Sequence, residues 1–253
     1  MKTAIITVAG ISSRFNRGIA EENKVLKAIY SEGGRKDTLL YHLLKNCAYA
    51  DSIVLVGGYR FSALTEYVET LRAEFPQVVT VFNEHYAELG SGYSLYLGVK
   101  EALRLNADEA LFAEGDLDVD RESFAEAAAS SRAVLTYTNE PIYANKAVVL
   151  YENGEGRYKY AFNSAHGLLT IDEPFSCILN SGQIWKFTDM EALDEASELF
   201  FHEEREDTNL AIIRRYVDNL SQDDVKLVRL KQWTNCNTRD DYRLIMNRWR
   251  SEQ

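Results

Sequence analysis

Short apolar runs separated by longer amphipathic stretches are the feature that most limits how this chain can fold. Residues 4–8, 53–56, 78–82 and 110–113 are rich in β-formers or continuously apolar, and each run ends in glycine or a polar residue, as buried strands do. Between them, residues 38–48, 61–72 and 91–104 have the apolar spacing of amphipathic helices. This alternation predicts βαβ units with right-handed crossovers, hence an α/β fold with a mostly parallel central sheet flanked by helices. Ligands of such sheets bind at the carboxyl ends of the strands.

From about residue 133 the pattern changes. Residues 147–151 and 158–162, joined by Asn153-Gly154-Glu155-Gly156, predict a hairpin, because glycine supplies the positive φ of a tight turn. Residues 177–187 hold a further strand, 190–201 and 205–216 are helical, 226–230 is a strand, and 239–249 is a closing helix. No Pro/Gly/Ser-rich linker interrupts the chain. The expectation is one domain over residues 1–253, in which residues 133–253 complete the sheet and wall the cleft opened by residues 1–132.

The 28 basic and 39 acidic side chains leave a formal charge of −11, which argues against a nucleic-acid partner, since such binding draws on Lys and Arg contacts to phosphate. A small anion in a locally basic pocket remains compatible. Cys47, Cys177 and Cys236 form neither a CxxC pair nor a disulfide framework. The apolar run at the start is too short for a signal peptide and no later run spans a bilayer, so a cytoplasmic protein without a membrane partner is expected.

Three segments carry chemistry. The first strand leads into Ala9-Gly10-Ile11-Ser12-Ser13-Arg14-Phe15. Backbone N–H groups of such a loop can cradle an oligophosphate, and Arg14 adds a planar charged fork. Asn23-Lys24-Val25-Leu26-Lys27 follows, where Lys24 is placed to bring a compact charge to the same phosphates. A plain strand–loop junction with two solvated cations explains these residues equally well. Next, Glu114-Gly115-Asp116-Leu117-Asp118 ends a strand and sets Asp116 at the carboxyl edge, where magnesium takes one or two carboxylates plus substrate phosphates. The competing reading is a helix cap, and it is preferred for Asp118 and Asp120. Asp207 is the best late carboxylate, but its neighbours His202-Glu203-Glu204-Arg205-Glu206 read as a solvated helix face.

Together these residues resemble the nucleoside-triphosphate-dependent nucleotidyltransferases. The stretch Val8-Ala9-Gly10-Ile11-Ser12-Ser13-Arg14-Phe15 is similar to the family signature (L)AAGxGxR, Asn23-Lys24-Val25-Leu26 to its PKxL partner, and Gly115-Asp116 to its metal-binding aspartate. The segment 232–242, beginning Gln232-Trp233-Thr234-Asn235, is similar to a late motif of the family. Within it, Val56-Gly57-Gly58-Tyr59, Asn83-Glu84-His85-Tyr86 and Gly90-Ser91-Gly92-Tyr93-Ser94-Leu95 resemble the choline-phosphate cytidylyltransferases. Ser12 stands where the signature has its second glycine, which narrows the loop's freedom.

The resemblance implies a Rossmann-like nucleotidyltransferase architecture, with residues 1–132 binding the nucleotide and 133–253 the acceptor. It implies CTP, magnesium shared by Asp116 and Asp207, and an acceptor such as choline phosphate or an aminoalkyl phosphonate. Ala9, Gly10, Ser12, Ser13, Arg14 and Lys24 would hold the phosphates, while Gly90 and Ser91 would face the base. An acceptor phosphate is already a nucleophile, so positioning and charge neutralisation suffice, and Arg14, Lys24 and Asp116 are the catalytic candidates. No role falls to His42, His85, His166 or His202. A quaternary ammonium favours aromatic faces, for which Tyr93, Tyr143, Tyr160 and Trp185 are available. Three alternatives stay open: a sugar-1-phosphate nucleotidyltransferase, a glycosyltransferase using Asp116-Leu117-Asp118 as a D-x-D motif, and a non-catalytic nucleotide-binding domain.

Overall fold

The computed structural model describes residues 1–145, 148–163 and 167–251. The expected hairpin start at residue 147 and His166 lie outside the described residues. In chain order the elements are β1 (Lys2–Val8), α1 (Leu39–Asn46), β2 (Ser52–Gly57), α2 (Phe61–Thr70), β3 (Val78–Phe82), α3 (Ser91–Arg104), β4 (Glu109–Glu114), β5 (Leu117–Val119), α4 (Arg121–Ala129), β6 (Ala133–Thr138), β7 (Val148–Asn153), β8 (Tyr158–Phe162), β9 (Phe175–Phe187), α5 (Met190–Glu203), α6 (Asn209–Asp218), β10 (Val225–Arg229), β11 (Trp233–Asn235) and α7 (Arg239–Ser251).

The central sheet runs β10-β6-β9-β4-β1-β2-β3. Strands β4, β1, β2 and β3 are mutually parallel, and β10 is parallel to β6. The long strand β9 enters antiparallel between β4 and β6, and its first part extends the sheet through β7 and β8. This is the expected mostly parallel α/β fold with a hairpin in the second half. The hairpin closes through Gly156 at φ +77°, a conformation glycine adopts without a Cβ clash.

Alternation along each strand sends neighbouring side chains to opposite faces. Ile6, Leu55 and Leu111 pack with Leu40, Leu43, Leu64 and Phe124 beneath α1, α2 and α4. Ile5, Val54 and Phe112 pack with Leu95, Phe200 and Ile212 beneath α3, α5 and α6. Burial on both faces is why these strands read as continuous apolar runs. A third cluster, Phe15, Leu39, Cys236, Tyr242, Ile245 and Trp249, fastens α7 over the loop after β1.

Helix α6 begins later than expected. Residues 205–207 form turn and bend instead, and the backbone of Glu206 and Asp207 passes against Gly90, where a Cβ would lie 2.1 Å from the Asp207 carbonyl oxygen. Asp120 caps α4 by accepting from the Ser123 N–H at 2.8 Å, the role preferred for it from sequence.

His42 of α1 stacks flat on Trp249 of α7, with ring centroids 3.3 Å apart. Burial, with help from Lys45, pushes its pKa down to about 4. The folded protein therefore favours the neutral ring. Its contribution is complete above the ordinary histidine value of about 6.5 and is lost as pH falls from there toward 4. We expect the stability difference between the parent and His42→Phe to shrink across that window by roughly 1–3 kcal/mol, measured by urea unfolding. A pH-independent difference would contradict this.

Candidate active site

The carboxyl ends of β1, β2, β3 and β4 open onto one edge, and the loops that follow them build a cleft. Its first cavity, about 350 Å³, is lined by the loop 9–15 and by Lys27, Asn83, Gly90, Ser91 and Asp116. The loop is drawn against the turn after β2, because Tyr59 N–H donates to the Ala9 carbonyl at 3.0 Å. Ser12 adopts a left-handed conformation, with φ 56°, at a steric cost of roughly 1–2 kcal/mol for a residue with a Cβ. Its hydroxyl accepts from the Lys27 N–H at 3.3 Å and so ties the loop to the next segment.

That segment separates the two lysines. A short 3-10 turn, Glu21–Asn23, folds Lys24 back onto Glu21, and Lys24 lines neither cavity. A second turn, Lys27–Ile29, aims Lys27 into the cleft. Its ammonium donates to Asp116 Oδ2 at 2.7 Å and to the Cys236 carbonyl at 3.1 Å. The cleft lysine is thus Lys27, in place of the expected Lys24.

Asp116 is held by its backbone as well, since Cys236 N–H donates to the Asp116 carbonyl at 2.8 Å. Its other carboxylate oxygen, Oδ1, is buried without a hydrogen-bond partner. Glu114 lies beside it. Burial and the charge of Asp116 raise the Glu114 carboxyl above the usual range, against the pull of Asn209 and Lys27. Asn209 Nδ2 donates to Glu114 Oε1 at 2.8 Å. Asp207 lines neither cavity, and its carboxylate accepts from the Thr208 N–H at 2.6 Å. The residue that α6 presents beside Asp116 and Glu114 is therefore Asn209, two positions beyond the expected carboxylate.

A second cavity of about 830 Å³ joins the first through Arg14, Ser91, Glu114, Asp116, Asn209 and Asn237, which line both. Its far wall carries Asn180, Gln183, Asn235, Trp233 and Tyr143. Asn235 Oδ1, Asn237 Oδ1 and Thr208 Oγ1 are buried there without partners, as is Asp116 Oδ1.

Of the expected acceptor aromatics, Tyr143 lines this cavity and is 59% exposed. Trp185 does not reach it. It is fully buried, stacked on Phe112 at 5.3 Å, and its indole N–H donates to Tyr160 Oη at 2.9 Å. Tyr160 is buried with it. Tyr93 packs among His85, Tyr96 and Phe201, away from both linings. Asp118 does not face the cleft either. It is 5% exposed, accepts from Trp249 Nε1 at 3.0 Å and pairs with Arg248, so it anchors α7 rather than completing a D-x-D motif.

A family described as "Domain of unknown function (DUF6564)" matches residues 23–249. The chain belongs to this family. The matched region includes Lys27, Asp116, Asn209 and Asn237 but starts beyond the loop 9–15. No curated protein sequence matches the chain. Among solved structures, the fold is similar to the inositol-1-phosphate CTP transferase from T. maritima, at TM-score 0.67 and 16% identity, covering 97% of this chain and 95% of that one. It is also similar to the CTP:phosphocholine cytidylyltransferase from Streptococcus pneumoniae, at TM-score 0.61 and 17% identity over 98% and 99% of the two chains. A UDP-glucose pyrophosphorylase complexed with UDP-glucose matches at TM-score 0.66 and 11% identity over the full length of both. The central sheet thus has the architecture of nucleotidyltransferases. No helix among the described residues is long and apolar enough to cross a membrane.

Proposed function

We propose that the protein is a magnesium-dependent nucleotidyltransferase that moves a nucleoside monophosphate from a nucleoside triphosphate, CTP first among them, to the phosphate of a small acceptor. The observation that carries this reading is the junction of two cavities at Asp116, with Arg14 lining both. One cavity has the anion-cradling loop and the other has room for a second substrate. A phosphate oxygen of the acceptor forms a bond to the α-phosphorus while the bond to pyrophosphate breaks. Both partners are anions, so the protein's part is to align them and offset their repulsion. Gly90 and Ser91, which line the first cavity, are the residues we assign to the base. Two of the structural neighbours are named for CTP and a third for UDP-glucose, so the choice of CTP rests on the sequence resemblance.

The donor set fits magnesium. Asp116 brings a hard anionic oxygen that nothing else in the fold satisfies, and Glu114 adds a second carboxyl beside it. When bound there, the ion would neutralise charge on the phosphates of both substrates. Asp207 has no part in this assignment, because it lines neither cavity.

For the acceptor, the orphaned oxygens of Asn235, Asn237 and Thr208 favour a head group rich in hydrogen-bond donors. A buried acceptor left unpaired costs about 1–3 kcal/mol. Hydroxyl groups of a sugar or cyclitol phosphate would satisfy these oxygens once the side chains turn into the cavity, whereas a trimethylammonium has no N–H to give. Choline phosphate is the second reading, favoured by Tyr143, Trp233 and Phe162 on the same cavity. In either case we assign residues 133–253 most of the acceptor wall and residues 1–132 the nucleotide.

Titration calorimetry with a non-hydrolysable CTP analogue tests the phosphate grip. Arg14→Ala should weaken binding about ten- to a hundredfold, as loss of a charged hydrogen-bonding group does. Lys24→Ala should change it less than about threefold, because Lys24 is an exposed partner of Glu21. Equal losses in the two variants would return Lys24 to the site, and parental affinity in Arg14→Ala would remove the grip.

A further inference from the structure

The cation facing Asp116 is part of the chain. Lys27 sits in the triphosphate cavity, yet its ammonium is spent on Asp116 Oδ2 at 2.7 Å and the Cys236 carbonyl at 3.1 Å. Both ends of the residue are fixed, since its N–H donates to the Ser12 hydroxyl at 3.3 Å. Ser12 belongs to the loop that would wrap the phosphates, so the lysine is tied to the element that senses nucleotide. Asp116 keeps only Oδ1 unpartnered. Any divalent ion that approaches this carboxylate must share it with a positive charge already in contact.

Building on the nucleotidyltransferase reading above, we propose that Lys27 is a tethered counter-ion that withholds Asp116 from metal until nucleotide arrives, so that the metal enters with the nucleotide rather than before it. The lysine stem has four rotatable carbons, and its ammonium is a compact point charge that can change partners without moving the backbone. A triphosphate in the loop offers that ammonium several anionic oxygens in place of one. Its departure from Asp116 then frees a full carboxylate for the ion that accompanies the phosphates. The pair is partly exposed, at 19% and 20%, so the exchange does not require a charge to cross a dry core. The lysine also balances Asp116 in the empty site, where Glu114 lies beside it and is held by Asn209.

Manganese binding read from the free-ion signal in electron paramagnetic resonance tests this without reference to turnover. Without nucleotide, Lys27→Met and Lys27→Gln should each bind manganese about tenfold or more tighter than the parent, because a contact charge has been removed. Lys27→Arg keeps the charge and should stay within about threefold of the parent. Adding Asp116→Asn to Lys27→Met should abolish the gain. With a non-hydrolysable CTP analogue the parent should remove more of the free-ion signal than the same concentration of analogue does alone, and Lys27→Met should bind the analogue less well. Equal nucleotide-free manganese affinity in the parent and in either neutral variant, with parental melting temperatures, would overturn the inference while leaving the reading of the site intact. Failure of the parent to bind manganese even with the analogue would overturn both.

Discussion

Asp116→Asn is expected to lower turnover about a hundred- to a thousandfold while leaving the unfolding midpoint within about 1 kcal/mol of the parent. The amide keeps the shape of the side chain and can still accept from Lys27, so packing around the Cys236 carbonyl and Glu114 survives. What it removes is the full negative charge that a hard cation requires, at the junction of the two cavities. Magnesium dependence should go with the activity: chelation silences the parent and added magnesium restores it, whereas the variant responds to neither. Steady-state kinetics over a magnesium series checks this. Near-parental turnover in Asp116→Asn at low magnesium would remove Asp116 from the metal site.

The largest loss of stability is expected from Trp185→Ala, at about 3–5 kcal/mol in urea unfolding. The indole is fully buried between sheet and helices, stacks on Phe112 and satisfies Tyr160. Truncation leaves a large hole and removes one of the two partners of the buried Tyr160 hydroxyl, the other being Ser181. Trp185→Phe fills much of the hole and is expected to cost about half as much. The same variant separates core from ligand contact. Its Michaelis constants for nucleotide and acceptor should match the parent, whereas a ring that touched the acceptor would raise only the latter.

The first half of the fold was readable because parallel strands covered on both faces, such as residues 53–56 and 110–113, must be apolar throughout. The start of α6 was misplaced because the acidic run before it reads as helix, although Thr208, a preferred N-cap type, marks the true start. Trp185 shows a similar limit: aromatic type does not say whether a ring lines a cleft or fills a core, and only the position of β9 between β4 and β6 decides it. In the site, Gly10, Ser12, Arg14 and Asp116 were legible as strand-end residues with suitable chemistry. Lys27 was overshadowed by Lys24, since the direction of each depends on two short turns that sequence does not distinguish. Asn209 carried no charge to mark it, although its place just after the acidic run at the first turn of a helix was the available signal.

Pyrophosphate release tests the central claim most directly. With magnesium present, the protein should release pyrophosphate from a nucleoside triphosphate only when a phosphorylated acceptor is supplied, fastest with CTP, and should form the matching nucleotide-linked product in equal amount. A polyol phosphate such as inositol 1-phosphate or a hexose 1-phosphate should outpace choline phosphate if the orphaned oxygens of Asn235, Asn237 and Thr208 read hydroxyl donors. The account is contradicted if nucleotide binds in the first cavity but no triphosphate and no phosphorylated acceptor, polyol or choline, yields acceptor-dependent pyrophosphate.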